Sequence, residues 1–354
     1  MRKTPAQLPA ASARHNLSHG ELVLIQRIRE RVARQPFGRR RDQVSLGIGD
    51  DCALLRPRRG EEVAVTTDLS IDGRHFRLGW HPPEAIGHRT LARGLSDLAA
   101  MGARPMGAFL SLGLPRELSR PGKKNGRSFW LDRFFDGLLH LADAHSTVLA
   151  GGDLAESPIA VADIVLVGAV LRGRALLRSG ARAGDQLYVT GALGAAAAAL
   201  ARLAEWVASR KKLAHQIPTT GAAEMTAHLY PQPRVQQGLW LQRHKGATAA
   251  IDISDGLSTD LAHLCEESGV AAEIDADLLP VHAGANLEQA MHGGEDYELL
   301  FTARENARIP KAVAGVAVTR IGRMVQGRSG QPQIALISGR NRQPVMPRGW
   351  QHFL

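Results

Sequence analysis

Aromatic residues are scarce: eight Phe, five Trp and three Tyr make up 5% of the 354 residues. The core must therefore be built mainly from Ala, Val, Leu and Ile. No segment interleaves basic and aromatic side chains as a groove for single-stranded nucleic acid does. Cysteine is nearly absent. Cys52 and Cys265 lie far apart, each in an apolar stretch. They predict two buried thiols of a reducing compartment rather than a disulfide. No Cys or His spacing matches a metal site, and no apolar run approaches the length needed to span a bilayer. The first 16 residues carry Arg and Lys with Ala, Ser and Pro but no continuous apolar segment. They read as a loose tail rather than a secretory signal, and a cytoplasmic protein is expected. Also missing are a complete Walker phosphate loop, a full dinucleotide-binding glycine pattern and any obvious Ser-His-Asp arrangement.

Positive charge is plentiful. The formal net charge is +10 and the isoelectric point about 10.3. Such a balance suits anionic partners, whether nucleic acid or phosphorylated small molecules, and it equally describes a protein using Arg as its general surface cation. A chain this long exceeds one ordinary core, so two domains are expected.

Leu22, Ile25, Ile28 and Val32 recur at helical spacing over 20–34. Val63 to Thr67 predicts a strand ending at Asp68, and Thr147 to Ala150 one ending at Gly151-Gly152-Asp153. Pro82-Pro83-Glu84 opens a helix and Gly102 closes it, which places Asp97 on that helix beside its apolar stripe. Gln186–Thr190, Ala249–Ile253, Val270–Ile274 and Glu298–Thr302 read as strands. Helices are expected over Gly191–Val207 and after Gly256, with 211–233 as connector. The chain is thus expected to be an α+β or α/β two-domain protein. A flexible basic tail over 1–19 precedes an amino-terminal mixed α/β domain over 20–175 and a carboxy-terminal α/β domain over 176–354.

Within this basic chain stand six short acidic clusters: Asp50-Asp51, Thr66-Thr67-Asp68, Ser96-Asp97, Gly151-Gly152-Asp153, Asp252-Ile253-Ser254-Asp255-Gly256 and Gly293-Gly294-Glu295-Asp296-Tyr297-Glu298. Singly, each has an ordinary explanation: adjacent carboxylates repel and belong in solvated loops, Asp255 serves as a helix N-cap, and Asp153 follows a turn. Jointly they fall where apolar strands end, and such strand ends converge on ligands in α/β folds. One rim of carboxylates is tolerable when divalent cations occupy it. Mg²⁺ takes only one or two protein carboxylates per ion, so this many acids imply several ions facing a polyphosphate. Phosphoryl transfer to an anionic acceptor needs positioning and charge neutralisation rather than a general base.

Together, and in this order, Gly47-Ile48-Gly49-Asp50-Asp51-Cys52-Ala53, Thr66-Thr67-Asp68 with Gly73-Arg74-His75-Phe76, Leu95-Ser96-Asp97-Leu98-Ala99-Ala100-Met101-Gly102-Ala103, Gly151-Gly152-Asp153, Arg178-Ser179-Gly180-Ala181, Ile251 to Leu257 and Gly293 to Leu299 resemble the thiamine-monophosphate kinases. These belong to the aminoimidazole ribonucleotide synthetase-like ATP-binding superfamily. The resemblance covers about 20–353. It implies ATP-dependent phosphorylation of thiamine monophosphate to thiamine diphosphate by direct transfer with several Mg²⁺. It implies a homodimer paired through its amino-terminal sheets; the short apolar runs and the lack of a basic-aromatic groove lead to no membrane and no specific nucleic acid being expected as partner. Position by position, it assigns metal sites to Asp51, Thr66, Thr67, Asp68, Asp97, Asp153, Asp252 and Asp255, with Asp51, Asp97, Asp153 and Asp252 at the chemistry. It assigns nucleotide contacts to Gly152, Asp153, Arg178 and Ser254, and substrate contacts to His75, Glu295 and Trp350.

Leu154-Ala155-Glu156-Ser157-Pro158 departs from the family, which usually has two threonines and Arg-Gly-Pro there. Within the superfamily the rivals are aminoimidazole ribonucleotide synthetase, selenophosphate synthetase and the hydrogenase-maturation dehydratase. The selenium enzyme needs a reactive Cys in a glycine-rich loop, and Cys52 follows two aspartates that disfavour a thiolate. The dehydratase needs a carboxy-terminal Cys, which Gln351-His352-Phe353-Leu354 lacks. A basic nucleic-acid-binding protein of degenerate fold is the reading from another class, and it predicts steeply salt-dependent binding without ATP turnover.

Overall fold

The computed structural model describes residues 21–35, 43–120, 129–209, 222–327 and 333–350. The expected tail 1–19 and most of the Lys- and Arg-containing stretch 119–127, whose composition predicts an exposed loop, lie outside them. The first half runs α1 (Glu21–Arg34), β1 (Val44–Leu46), β2 (Leu54–Leu55), β3 (Glu61–Ile71), α2 (Pro83–Ala100), β4 (Arg104–Leu114), α3 (Trp130–Ala144), β5 (Val148–Glu156) and β6 (Val161–Leu171). The second half runs β7 (Gln186–Thr190), α4 (Ala195–Ser209), α5 (Ala222–Leu229), α6 (Val235–His244), β8 (Ala249–Asp252), α7 (Leu257–Ser268) and β9 (Val270–Asp275). It ends with α8 (Leu287–His292), β10 (Leu299–Ala303), β11 (Ala312–Val313), β12 (Val316–Gln326), β13 (Ile334–Ser338) and β14 (Asn341–Val345).

Among the described residues a short antiparallel β1–β2 pair accompanies two larger sheets, and the chain is a two-domain mixed α/β protein. The first has the order β3-β6-β4-β5, parallel only between β4 and β5. The second runs β14-β13-β9-β12-β7-β10-β8, with β11 paired to β12. It is antiparallel at every pair except β9–β13. Alternation of strand and helix in the sequence thus does not give a parallel sheet here.

Two strands outrun their expected ends. β3 keeps register with β6 from Glu61–Leu171 to Ile71–Val161, so Asp68 stands inside the strand. β5 continues beside β4 through Gly151, Gly152 and Asp153 to Glu156. Ladder hydrogen bonds to a paired neighbour carry each strand past its apolar run. The expected connector 211–233 contains α5, and α6 follows at once.

Helix α2 organises the molecule. Pro83 and Glu84 occupy its first turn. At its far end Gly102 adopts φ +63°. The Gly102 N–H then reaches Ala99 O and the Ala103 N–H reaches Leu98 O, the paired bonds of a glycine-closed helix end. Nearly every side chain between is buried. Leu91, Leu95 and Leu98 pack with Ile164 and Leu166 of the first sheet and with Phe134 and Leu138 of α3. The same core includes Val235 and Leu241 of α6, Ala250 of β8, and Leu299 and Phe301 of β10. The two halves therefore share apolar contact across α2, and acids on that helix face residues from both.

Candidate active site

The expected single rim of acids comes apart into two groups. In the first, the glycine-rich turn between β1 and β2 and the bulged start of β5 enclose a cavity of about 540 Å³. Asp51, Gly152 and Asp153 line it, with Ile25 and Ile28 of α1 behind them. Asp51 and Asp153 are exposed. Gly152 has φ +147°, and a Cβ there would collide with the backbone carbonyl of Leu110 on β4. Glycine is thus required by both conformation and closeness.

The second group gathers on the inner face of β3, along α2 and at the end of β8. Arg89, Arg93 and Asp97 recur every four residues and so form one line along α2. The Thr66 hydroxyl donates to Asp97. Arg93 donates from Nε to Asp68 at 2.7 Å. The Ser96 hydroxyl donates to Asp252 at 2.6 Å, and Asp252 is only 3% exposed. Burial, together with the charge of Asp252, pushes the Asp97 carboxyl up to about 7, against the opposing pull of the Thr66 hydroxyl and of Arg178. Burial likewise raises Asp252. Arg178 is itself exposed. Thr67 does not join this group. Strand alternation turns it outward, exposed on the face that carries Val63, Val65 and Leu69.

Loops of the second half complete the surroundings. The Asp260 carboxylate, inside the first turn of α7, accepts the N–H groups of Ser254, Asp255 and Gly256, each at 3.0 Å. Asp260 thus ties down the loop that enters α7, whose N-cap position is Gly256 rather than Asp255 and carries no side-chain cap. The Asp255 carbonyl accepts the Trp350 N–H at 3.1 Å, and Thr259 Oγ1 accepts that of Gly349 at 3.0 Å. The carboxy-terminal segment is thereby strapped beside Asp255, with Trp350 49% exposed.

The Gly293–Glu298 cluster divides its acids among different tasks. Glu295 has φ +68° and donates its N–H to the Ser254 carbonyl at 2.8 Å. Its carboxylate meets Arg89 at 2.5 Å and His228 at 3.2 Å. Arg89, His228 and Arg93 hold that carboxyl well below the usual range despite burial. Arg89 also donates to the His75 carbonyl at 3.3 Å. Asp296 accepts the N–H groups of Gly194 and Ala196 at 2.6 and 3.0 Å. The start of α4 is thus occupied by a carboxylate of this chain. Glu298 accepts from Thr190 and Arg234.

Thr66, Asp68, Asp97 and Asp252 come together, with Arg178 felt by both Asp97 and Asp252. Glu295, His75 and Ser254 adjoin them through Arg89 and the 253–256 loop. Asp51, Gly152 and Asp153 form the other group. Among the described residues no three His, Cys, Asp or Glu side chains converge closely enough to cage a metal ion. The residues that sequence reading misses are Arg89, Arg93, His228, Arg234 and Asp260. The 89-93-97 spacing on a helix carrying a flagged acid is the one signal that points to two of them. Cys52 corrects another expectation, because it is exposed on the tight turn while Cys265 is buried.

The sequence matches the models for AIR synthase related protein, the N-terminal domain over 49–171 and the C-terminal domain over 182–335. It is 40% identical over 317 residues to the thiamine-monophosphate kinase of Salmonella typhimurium, covering 86% of this chain and 90% of that protein. It is 39% identical over 350 residues to that of Escherichia coli, covering 94% and 98%. The chain belongs to the thiamine-monophosphate kinase family. It is accordingly an enzyme and a kinase. Among solved structures, that of thiamine-monophosphate kinase from Stenotrophomonas maltophilia superposes with a TM-score of 0.73 at 38% identity over 90% of this chain and 96% of that one. AaThiL complexed with AMPPCP and TMP gives 0.69 at 29% identity over 97% and 100%. The Escherichia coli hydrogenase maturation protein HypE gives 0.64 at 17% identity over 92% and 96%, a likeness of fold alone.

Proposed function

We propose that this enzyme transfers the terminal phosphoryl group of ATP directly to the phosphate of thiamine monophosphate, giving thiamine diphosphate. The observation that carries this reading is the clustered set Thr66, Asp68, Asp97 and Asp252, half-buried except for the buried Asp252. These are hard oxygen donors, and loss of hydration together with the charge of Asp252 pushes Asp97 up to about 7. The family's kinase activity and the relative complexed with AMPPCP and TMP support pairing a nucleotide with a phosphorylated acceptor.

The donor set fits Mg²⁺. Its atoms are oxygen throughout, its negative charge exceeds the nearby Arg93 and Arg178, and its open geometry suits an ion that keeps several waters. Thr66, Asp68, Asp97 and Asp252 would hold such ions, with Asp255 beyond Ser254. Asp51 and Asp153 remain proposed metal ligands in their own group at the first cavity, and Thr67, on the opposite face of β3, stands apart from both groups. Bound there, magnesium supplies charge neutralisation for the phosphates.

The chain's own groups do the positioning. Gly152, Asp153, Ser254 and Arg178 contact the nucleotide. His75 and Glu295 orient the acceptor, and Trp350 offers an exposed ring to a heteroaromatic cation. An acceptor phosphate is already ionised near neutral pH, so no general base is needed.

We further propose a division near 175–176 and a cytoplasmic homodimer built on β3, the edge strand of its sheet. Val63, Val65 and Leu69 on that strand are 53%, 61% and 46% exposed, a stripe that a two-fold partner would cover. Among the described residues no helix is long and apolar enough to cross a membrane.

The test is incubation with ATP, Mg²⁺ and either thiamine monophosphate or thiamine, with products separated by chromatography. Thiamine diphosphate from the monophosphate alone is the expected result. Its absence where a control kinase succeeds overturns the reading, and product from thiamine itself reassigns the acceptor.

A further inference from the structure

A chain of buried side chains leads away from Glu295 and is not used by the chemistry described so far. His81 stands just before α2, and His228 is the next-to-last residue of α5. Their rings meet Nε2 to Nε2 at 3.0 Å, with side chains 4% and 2% exposed. Two imidazole nitrogens this close require one donor and one acceptor. The Glu295 carboxylate, which can only accept, settles which is which. His228 Nδ1 lies 3.2 Å from Glu295 Oε2 and 3.3 Å from Arg89 Nη1, and the carboxylate takes its proton as a hydrogen bond, which leaves the lone pair on His228 Nε2. His81 therefore donates from Nε2 to His228 Nε2. His81 Nδ1, 3.1 Å from the Arg77 N–H and 3.2 Å from the Arg77 carbonyl, is then the acceptor of the N–H. Arg89 braces the far side, donating to the His228 carbonyl and to Glu295 Oε1. Burial holds both imidazoles neutral near pH 7, and the charge of Arg89 acts in the same direction.

We propose that His81 and His228 are positioning residues. Through a one-way series of hydrogen bonds, Arg77 N–H to His81 to His228 to Glu295, they fix the Glu295 carboxylate for the acceptor. The proposal rests on the reading of Glu295 as an acceptor contact. Glu295 needs such support: it lies on a loop, at a positive φ that non-glycine residues seldom adopt, and its one salt-bridged oxygen leaves the other free to rotate away. His228 occupies that second oxygen. His81 touches neither Glu295 nor any proposed ligand, so its part is to choose the tautomer of His228. Without His81, His228 can move its proton to Nε2 and turn a lone pair toward the carboxylate, which repels it. The relay also links the residues before α2 with α5 and the Gly293–Glu298 loop, three segments widely separated in sequence.

Two measurements test this. First, ¹⁵N-histidine NMR of the full-length protein without substrates reads tautomers directly. The wild type should show one buried neutral ring protonated at Nε2 and another at Nδ1, with the Nδ1 form lost in His228→Phe and converted in His81→Phe. A His228 ring protonated at Nε2 in the wild type overturns the relay whatever the enzyme's substrate. Second, in the kinase assay, His81→Phe and His228→Phe should raise KM for the acceptor about tenfold while KM for ATP stays within about twofold. His81→Gln, whose amide can donate from nearly the position of Nε2, should restore most of the loss. Equal changes in both KM values, or no advantage of Gln over Phe, overturn the positioning role. If the tautomers are as stated but no variant or wild type phosphorylates the acceptor, the relay stands and the proposed reaction falls.

Discussion

Ser96 donates to Asp252 at 2.6 Å, a bond that ties the last turns of α2 to the end of β8. It joins the two halves of the chain where their acids face each other. One residue further along the helix, Asp97 bears the consequence: half-buried, and opposed by the charge of Asp252, its carboxyl is pushed up to about 7. Such crowding is unfavourable for the empty fold and is relieved by bound cations.

Asp97→Asn separates these effects. Turnover should fall by about a hundredfold or more, because a charge used only with phosphates present is gone. The apoprotein should melt at the same temperature or a few degrees higher, since the amide can still accept from Thr66 and no longer repels Asp252. Kinetics beside calorimetry checks both. Near-normal turnover would make Asp97 a structural side chain.

The β3 stripe makes a second prediction. Val65 is 61% exposed, and lysine there places two like charges on a two-fold edge. Sedimentation should show a dimer for wild type and a monomer for Val65→Lys. A Val65→Lys protein that remains dimeric would move the interface elsewhere.

Buried histidine sets a pH dependence. His88 is 3% exposed and donates from Nε2 to the Pro231 carbonyl at 2.7 Å. Burial holds its pKa at about 4. An unfolded chain takes up that proton near pH 6.5, while the folded one refuses it until about pH 4. The contribution of His88 is therefore full above pH 6.5 and is lost as pH falls toward 4. His88→Gln keeps a donor for Pro231 but cannot titrate. The stability of wild type relative to His88→Gln should thus drop by about 3 kcal/mol between pH 7 and pH 4. Urea titrations at the two pH values measure it, and a constant difference would mean that His88 is protonated in the fold.

Much of this was legible in the residues themselves. Helix α2 announces both ends with Pro82-Pro83-Glu84 and Gly102, and the apolar runs at 186–190 and 249–253 fall on β7 and β8. Legibility fails where meaning depends on a distant partner. Periodicity cannot extend β3 past Asp68, because the residues there are held by β6 rather than by their own apolarity. Nor can it divide the Gly293–Glu298 cluster into one carboxylate for Arg89, one for the start of α4 and one for Arg234. Arg89 and His228 look like a surface cation and a connector residue until Glu295 is placed between them.

The close crossing of α2 and α3 was equally invisible, and it supports a last prediction. Gly87 of α2 faces the backbone carbonyl of Phe134, and Gly137 of α3 faces that of Glu84, each so near that a Cβ would collide with it. Helix propensity alone favours alanine at both sites, by about 1 kcal/mol. Packing opposes it, because the obstacle is backbone and only a separation of the helices can make room, at a cost of about 1–3 kcal/mol and with loss of contacts around Phe134 and Leu138. Packing should win. Gly87→Ala and Gly137→Ala are each expected to lower the unfolding free energy in denaturant titrations. The double variant should lose less than the sum of the two, since one separation of the helices accommodates both methyl groups. Stabilisation by either single change would show that propensity outweighs the crossing.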